Sequence, residues 1–298
     1  MSVTLLDGSI GQELVHRHGK AATTFWSSSV MIENPDLLGR LHREYFAAGA
    51  TIATTNSYPV LPDRLAGTAL EPQLHHLLEI AAGEARAARD AHGSGRIAGA
   101  LGPLGATYRT DFTHTKPDAM RIYGPVFEAL EPHVDLFLAE TVSSVRQARN
   151  LAHILLHLTD KPAWIALSVD DDDGTKLRSG EALEAALGAL DTPRIDAVLI
   201  NCARPEAIDV ALPYLRDFGK PFGAYANGFT RISDAFLADS PTVDVLEARP
   251  DLAPAAYADF AMRWQAMGAT ILGGCCEIGP AHIAEIASRL NTAGIAIE

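Results

Sequence analysis

Short apolar runs recur at nearly even intervals along the chain, and between them apolar positions return every three or four residues. The runs cover residues 3–6, 51–55, 96–101, 134–139, 163–169, 195–201, 221–225 and 269–274. Each is short, rich in β-branched or aliphatic residues, and closed by glycine or polar residues, as strands buried on both faces are. The helical signal is clearest after Asn34-Pro35-Asp36, where a capping residue, a proline at the first helical position and an acid in the first turn coincide. Leu37, Leu38, Leu41, Tyr45 and Phe46 follow at helical spacing, and Gly49 ends the segment. Further helices are predicted over 10–18, 74–92, 119–131, 144–158, 180–190, 205–218, 255–267 and 278–290, with Gly124-Pro125 expected to kink or restart the third of these. Strands alternating with helices in eight units predict a (β/α)8 barrel of the TIM type, with an open doubly wound sheet as the alternative. No Gly-x-Gly-x-x-Gly turn follows the first strand, so a dinucleotide site has no support. Residues 226–254 show no period and read as a longer functional loop at the rim. Residues 1–298 are read as one barrel domain carrying that loop.

In such a barrel the active site lies where the strands end. The predicted exits carry Asp7, Asn56 with Tyr58, Glu140, Asn201 with Cys202, Asn227, and Cys275 with Cys276. All three cysteines of the chain are among them. Three readings fit: buried thiols, a strained bond between the adjacent Cys275 and Cys276, or a cup of three thiolates around zinc with the fourth position open. Neighbouring side chains on a strand point to opposite faces, so the metal reading needs the backbone to leave strand geometry there. Gly273-Gly274 is read as supplying that freedom. Asp7 and Glu140 are either ordinary acids at helix starts or, beside a metal site, a pair that holds an ammonium group. His42, His75, His76, His153 and His157 fall within predicted helices and read as structural or surface residues. The acidic run 170–173 lacks the ligand spacing of a calcium loop.

Composition narrows the partners. A formal charge of −13 disfavours nucleic acid and anionic membranes and favours cationic or neutral small molecules. No apolar run has the length of a membrane span, and the N-terminal residues lack a signal-peptide pattern. Three cysteines make a disulfide framework unexpected and suit a reducing cytoplasm.

The segments Leu5-Leu6-Asp7-Gly8, Phe25-Trp26-Ser27, Glu33-Asn34-Pro35-Asp36, Thr54-Thr55-Asn56-Ser57-Tyr58, Phe137-Leu138-Ala139-Glu140-Thr141, Ser179-Gly180-Glu181-Ala182-Leu183, Asn201-Cys202 and Gly273-Gly274-Cys275-Cys276 together resemble the zinc-dependent homocysteine S-methyltransferases. That family includes the S-methylmethionine- and betaine-using enzymes and the homocysteine domain of cobalamin-dependent methionine synthase. The resemblance implies that Cys202, Cys275 and Cys276 bind Zn2+. It also implies that Asp7 and Glu140 hold the amino-acid end of homocysteine, and that Trp26, Tyr58 and Asn227 lie about the substrates. The implied reaction is methyl transfer from a cationic donor, S-methylmethionine first, to the homocysteine thiol, giving methionine, with no side-chain catalyst beyond the zinc-activated thiol. Asp7-Gly8-Ser9, Ala203-Arg204-Pro205 and Tyr225-Ala226-Asn227-Gly228-Phe229 depart from the family pattern at the pocket rim. Another thiol or selenol acceptor, or betaine as donor, therefore stays open. Outside the family, a zinc hydrolase or a non-catalytic zinc-binding module are the alternatives.

Overall fold

The structure is a computed structural model and describes residues 2–19, 25, 27–111, 114–237 and 245–298. Its strands are β1 Ser2–Leu5, β2 Ile52–Thr54, β3 Arg96–Leu101, β4 Leu136–Val142, β5 Ala163–Leu167, β6 Ala197–Asn201, β7 Phe222–Tyr225, β8 Ile271–Leu272 and β9 Ala296–Ile297. Strands β2 to β8 pair in chain order, β8 pairs with β1, and every ladder is parallel. The ring closes between β1 and β2. Leu6 bridges Ile52, the Thr51 amide donates to the Leu5 carbonyl at 2.7 Å, and the Asp7 amide donates to the Ile52 carbonyl at 3.1 Å. The closed barrel therefore holds over the open sheet. Strand β9 lies outside the ring and pairs with Ser2 and Val3, below the part of β1 that β8 holds. Two ladder residues are too few for a readable pattern, and the sequence gives no sign of it.

Both faces of the barrel wall are apolar, which is why the strands read as continuous runs. Leu6, Ile52, Leu138, Trp164, Leu199 and Ile271 belong to the interior cluster. Their strand neighbours Leu5, Ala53, Phe137, Ile165, Val198 and Leu272 pack against the helices instead. The helices are α1 Gly11–His18, α2 Ser27–Glu33, α3 Pro35–Ala47, α4 Pro62–Leu65, α5 Leu74–His92, α6 Lys116–Leu130, α7 Val145–Leu158, α8 Leu183–Leu190, α9 Pro205–Phe218, α10 Pro254–Ala266 and α11 Pro280–Thr292. Pro125 neither ends nor restarts α6, which runs through it as one element from a capping box at Thr115 and Asp118. His42 takes the structural of the two readings given to the helix histidines. It is fully buried in α3, neither ring nitrogen has a partner, and burial lowers its pKa to about 3, so it stays neutral. The long rim loop contains a 3-10 turn, Asp234–Leu237, and a bridge from Phe229 to Ala248; its residues 238–244 lie outside the described residues. Among the described residues no helix is long and apolar enough to cross a membrane.

Candidate active site

A cavity of about 110 Å³ opens at the carboxyl ends of the strands, room for a ligand of amino-acid size. Cys202 stands directly after β6, and Cys275 and Cys276 follow β8. The three sulfurs lie within 4.8 Å of one another. Tetrahedral zinc with Zn–S bonds of about 2.3 Å sets ligand sulfurs about 3.8 Å apart, so the donor set and its spacing suit a soft metal ion. In this structure Cys202 and Cys275 form a disulfide, which the sequence reading did not expect, and Cys276 is free. A disulfide sulfur carries no thiolate charge, so ligation of a metal by all three sulfurs would require the reduced form.

The adjacent cysteines share one side because the chain leaves the ladder at Gly273. The Ile278 amide donates to the Cys275 carbonyl at 3.1 Å and closes a turn in which Glu277 is left-handed, with φ 66°. Gln12 fixes that turn, accepting the Glu277 amide at 2.9 Å and donating to its carboxylate. The two glycines act differently from the expectation. Neither has positive φ. A Cβ on Gly273 would stand 2.7 Å from Leu6, and one on Gly274 would stand 2.2 Å from Ile278. Their role is close approach to the exit of β1 and to the following turn.

Asp7 and Glu140 line the cavity together with the cysteines. Asp7 is only 2% exposed and accepts from the Thr54 amide at 2.7 Å and the Thr54 hydroxyl at 2.9 Å. Burial, helped by the charge of Glu140, raises its pKa well above the usual range against those two hydrogen bonds. Burial likewise pushes Glu140 up to about 7, opposed by the Tyr225 hydroxyl, which donates to it at 2.9 Å. Next to Glu140, Thr141 has φ 58° and is gripped by Asn201, which accepts its amide at 2.9 Å and donates to its hydroxyl at 3.2 Å. No lysine or arginine lines the cavity among the described residues. A buried acid and a half-buried one, with no cation between them, suit an ammonium group. Nearby, the Asn56 side chain is 3% exposed, and its amide nitrogen has no partner while its oxygen accepts from Ser27. It faces the cavity beside the N-terminus of α1, where backbone amides favour an anion. Burial also pushes the Cys276 thiol up to about 12, aided by Glu277 and Glu140.

The wall above the sulfurs is aromatic. Tyr108, Phe229, Ile232 and Phe236 cluster with Cys202, and Cys275 and Cys276 pack against them. Tyr58 also lines the cavity, its hydroxyl 2.9 Å from that of Thr107. Asn227 does not line it. Asn227 is 1% exposed and braces the loop behind, accepting the Phe229 amide at 3.2 Å and donating its own to Ala203 at 3.2 Å. Trp26 lies outside the described residues. Sequence reading passed over Gln12, Thr54, Tyr108 and Tyr225. Thr54 and Tyr225 end their strands, and that position was their only signal; Gln12 and Tyr108 gave none.

A family model described as homocysteine S-methyltransferase matches residues 4–290. The chain is 33% identical over 308 residues to the homocysteine S-methyltransferase of Escherichia coli strain K12, covering 96% of this chain and 95% of that one. It is 28% identical over 304 residues to the homocysteine S-methyltransferase YbgG of Bacillus subtilis, covering 95% and 93%. Crystal structures of the Escherichia coli homocysteine methyltransferase MmuM superimpose with TM-scores of 0.81 for the metallated form and 0.82 for the oxidized form. Both are 29% identical and cover 97% of this chain and 96% of that one. The chain belongs to the homocysteine S-methyltransferase family.

Proposed function

We propose that this chain, as one homocysteine-binding barrel domain, transfers a methyl group from a cationic donor, S-methylmethionine first, to the thiol of L-homocysteine, giving methionine. The observation that carries the reading is three cysteine sulfurs gathered at one barrel mouth together with the carboxylates of Asp7 and Glu140. Cys202, Cys275 and Cys276, once reduced, would hold zinc. Zinc bound there supplies a position at which a thiol of ordinary pKa about 8.5 is held as thiolate at neutral pH. Asp7 and Glu140 take the substrate ammonium, which removes their mutual repulsion and restores both to the ionised state. The α1 N-terminus and the free Asn56 amide take the carboxylate. These contacts fix the acceptor sulfur at the cysteine side of the cavity.

The donor enters against Tyr58, Tyr108, Phe229 and Phe236, whose ring faces suit a sulfonium. The acceptor sulfur forms a bond to the methyl carbon as the carbon–sulfur bond of the donor breaks. Its electron pair stays on the donor sulfur, which becomes a neutral thioether. Alignment and dehydration are what the side chains contribute, and no side-chain proton moves during the transfer. A reducing cytoplasm fits a site that needs three free thiols. The test is methionine formation from homocysteine and S-methylmethionine by the reduced protein, before and after chelation. Activity that survives complete metal removal sinks the mechanism.

A further inference from the structure

One buried ion pair lies outside that chemistry. Arg178 and Asp171, in the loop after β5, meet through two hydrogen bonds of 2.9 and 3.2 Å, and each side chain is only 9% exposed. A buried pair of this kind is weak evidence of a stabilising role, because removing both charges from water costs about as much as their attraction returns. Its remaining contacts show another use. Arg178 donates to the Cys202 carbonyl at 2.9 Å and to the Ser168 hydroxyl at 2.8 Å, and Ser168 donates to the same carbonyl at 3.3 Å. The guanidinium also stacks over the Tyr108 ring at 4.5 Å. Asp171 spends its other lone pairs on the Arg204 amide at 3.1 Å and the Ile232 amide at 3.0 Å. Cys202 sits at φ 48°, a left-handed conformation that a residue with a Cβ adopts only when its surroundings impose it.

We propose that Arg178 and Asp171 are positioning residues that fix the Cys202 sulfur and the aromatic wall of the cavity as one unit. The pair touches three separate strand-exit loops. Through Cys202 and Arg204 it holds the loop after β6, through Ile232 the long loop after β7, and through Tyr108 the loop after β3. The fork of an arginine is needed for this, since it serves Asp171, Ser168, Cys202 and the Tyr108 face at once, whereas a lysine ammonium is a single point charge. The inference rests on the proposed metal and donor roles of this mouth. It goes beyond them by making metal affinity and donor binding depend on residues that touch neither.

Two variants test it: Arg178→Lys, and the double change Arg178→Gln with Asp171→Asn, which leaves no unpaired charge behind. Zinc affinity of the reduced protein, read by competition with a chromophoric chelator, is expected to fall about 10- to 100-fold in both, as changes behind metal ligands typically do. Tryptic cleavage after Arg231 is expected to quicken, because the side chain at 171 that accepts the neighbouring Ile232 amide is no longer held by the guanidinium fork. KM for S-methylmethionine is expected to rise several-fold while KM for homocysteine stays within about twofold, since Asp7 follows β1 and Glu140 lies in β4, and neither belongs to the loops the pair ties together. A purely structural pair would lower the melting temperature and leave zinc affinity of the folded fraction and cleavage at Arg231 at wild-type values; that result overturns the proposal. Zinc affinity and proteolysis need no methyl transfer. An inactive wild-type chain would therefore refute the proposed reaction while these two readouts still decide the role of the pair.

Discussion

The two ends of the barrel treat charge in opposite ways. At the amino-terminal end the segments before β4, β5, β6 and β7 clamp their neighbours. Lys161, before β5, donates to the Glu131 and Val134 carbonyls before β4, and Arg194, before β6, donates to the Leu155, Thr159 and Lys161 carbonyls. Lys220, before β7, donates to the Thr192 and Ile195 carbonyls at 2.9 and 2.7 Å. Asp135 and Asp196 accept the amides of Ile97 and Ala163 at 2.7 and 2.8 Å. At the carboxyl-terminal end, Asp7 and Glu140 face each other's charge across a cavity, and the amide nitrogen of Asn56, which lines it, lacks a partner. Among the described residues, the non-glycine residues with positive φ, Tyr108, Thr141, Cys202 and Glu277, all stand at this end too. One end completes its hydrogen bonds within the chain. The other leaves them open for ligands, which costs stability when no ligand is bound.

The largest expected break in this contrast is at the sulfurs. Cys276→Ser should abolish tight zinc binding and lower methyl transfer by roughly a thousandfold or more, about 4 kcal/mol of transition-state stabilisation. Its melting temperature without metal should stay near that of the parent. Zinc stoichiometry by metal analysis, taken with a thermal melt, reads both. The disulfide gives a companion expectation: the oxidized wild-type protein should bind no zinc at this cluster, and reduction should restore one ion per chain. Zinc held by the oxidized protein at Cys202 and Cys275 would break the assignment. Next in size is Glu140→Gln, which keeps an acceptor for Tyr225 and removes the charge. It should raise KM for homocysteine about 10- to 100-fold, the worth of a buried charge-assisted contact of about 1.5–3 kcal/mol, with much less effect on KM for the donor.

How far the sequence carried depends on the kind of signal. Strands β3 and β6 and helices α5 and α9 were readable because whole runs of Ile, Val, Leu or Ala mark them. Strand β8 shrank to Ile271–Leu272, because Gly273 and Gly274 belong to the contact with β1 and no one-dimensional pattern reports a contact across the ring. The cysteines and both acids could be found by reading only strand exits. Thr54 escaped because its role depends on Asp7, 47 residues away in sequence. Asn227 misled for the complementary reason: it follows a strand end, yet its side chain turns back to the Phe229 amide. Position at an exit sets the neighbourhood of a side chain, while its direction depends on the turn that follows.

The same Glu140→Gln protein carries a smaller, opposite effect on stability. The carboxyl of Glu140 stands near pKa 7 in the folded chain against an ordinary 4.5, so the folded state binds its proton more tightly than the unfolded state. Wild-type stability therefore falls as pH rises from about 4.5 through about 7 and stays lowered above that. The glutamine variant, without this titration, should match the wild type near pH 4 and exceed it above pH 7. The expected excess is about 1–2 kcal/mol, after discounting the shift for the partial exposure of the side chain. Urea unfolding without ligand at the two pH values measures it, and an equal difference at both would show that ionisation is not the cause. The amino-terminal end should give the reverse and the smallest change. Asp196→Ala deprives the Ala163 amide of its acceptor and should cost about 1 kcal/mol at neutral pH, since water can reach the half-exposed site. Kinetic constants of the folded enzyme should stay at wild-type values. If Asp196→Ala instead changed KM for homocysteine, the two ends would be coupled through β5 and β6, and the division between a stabilising end and a reactive end would fail.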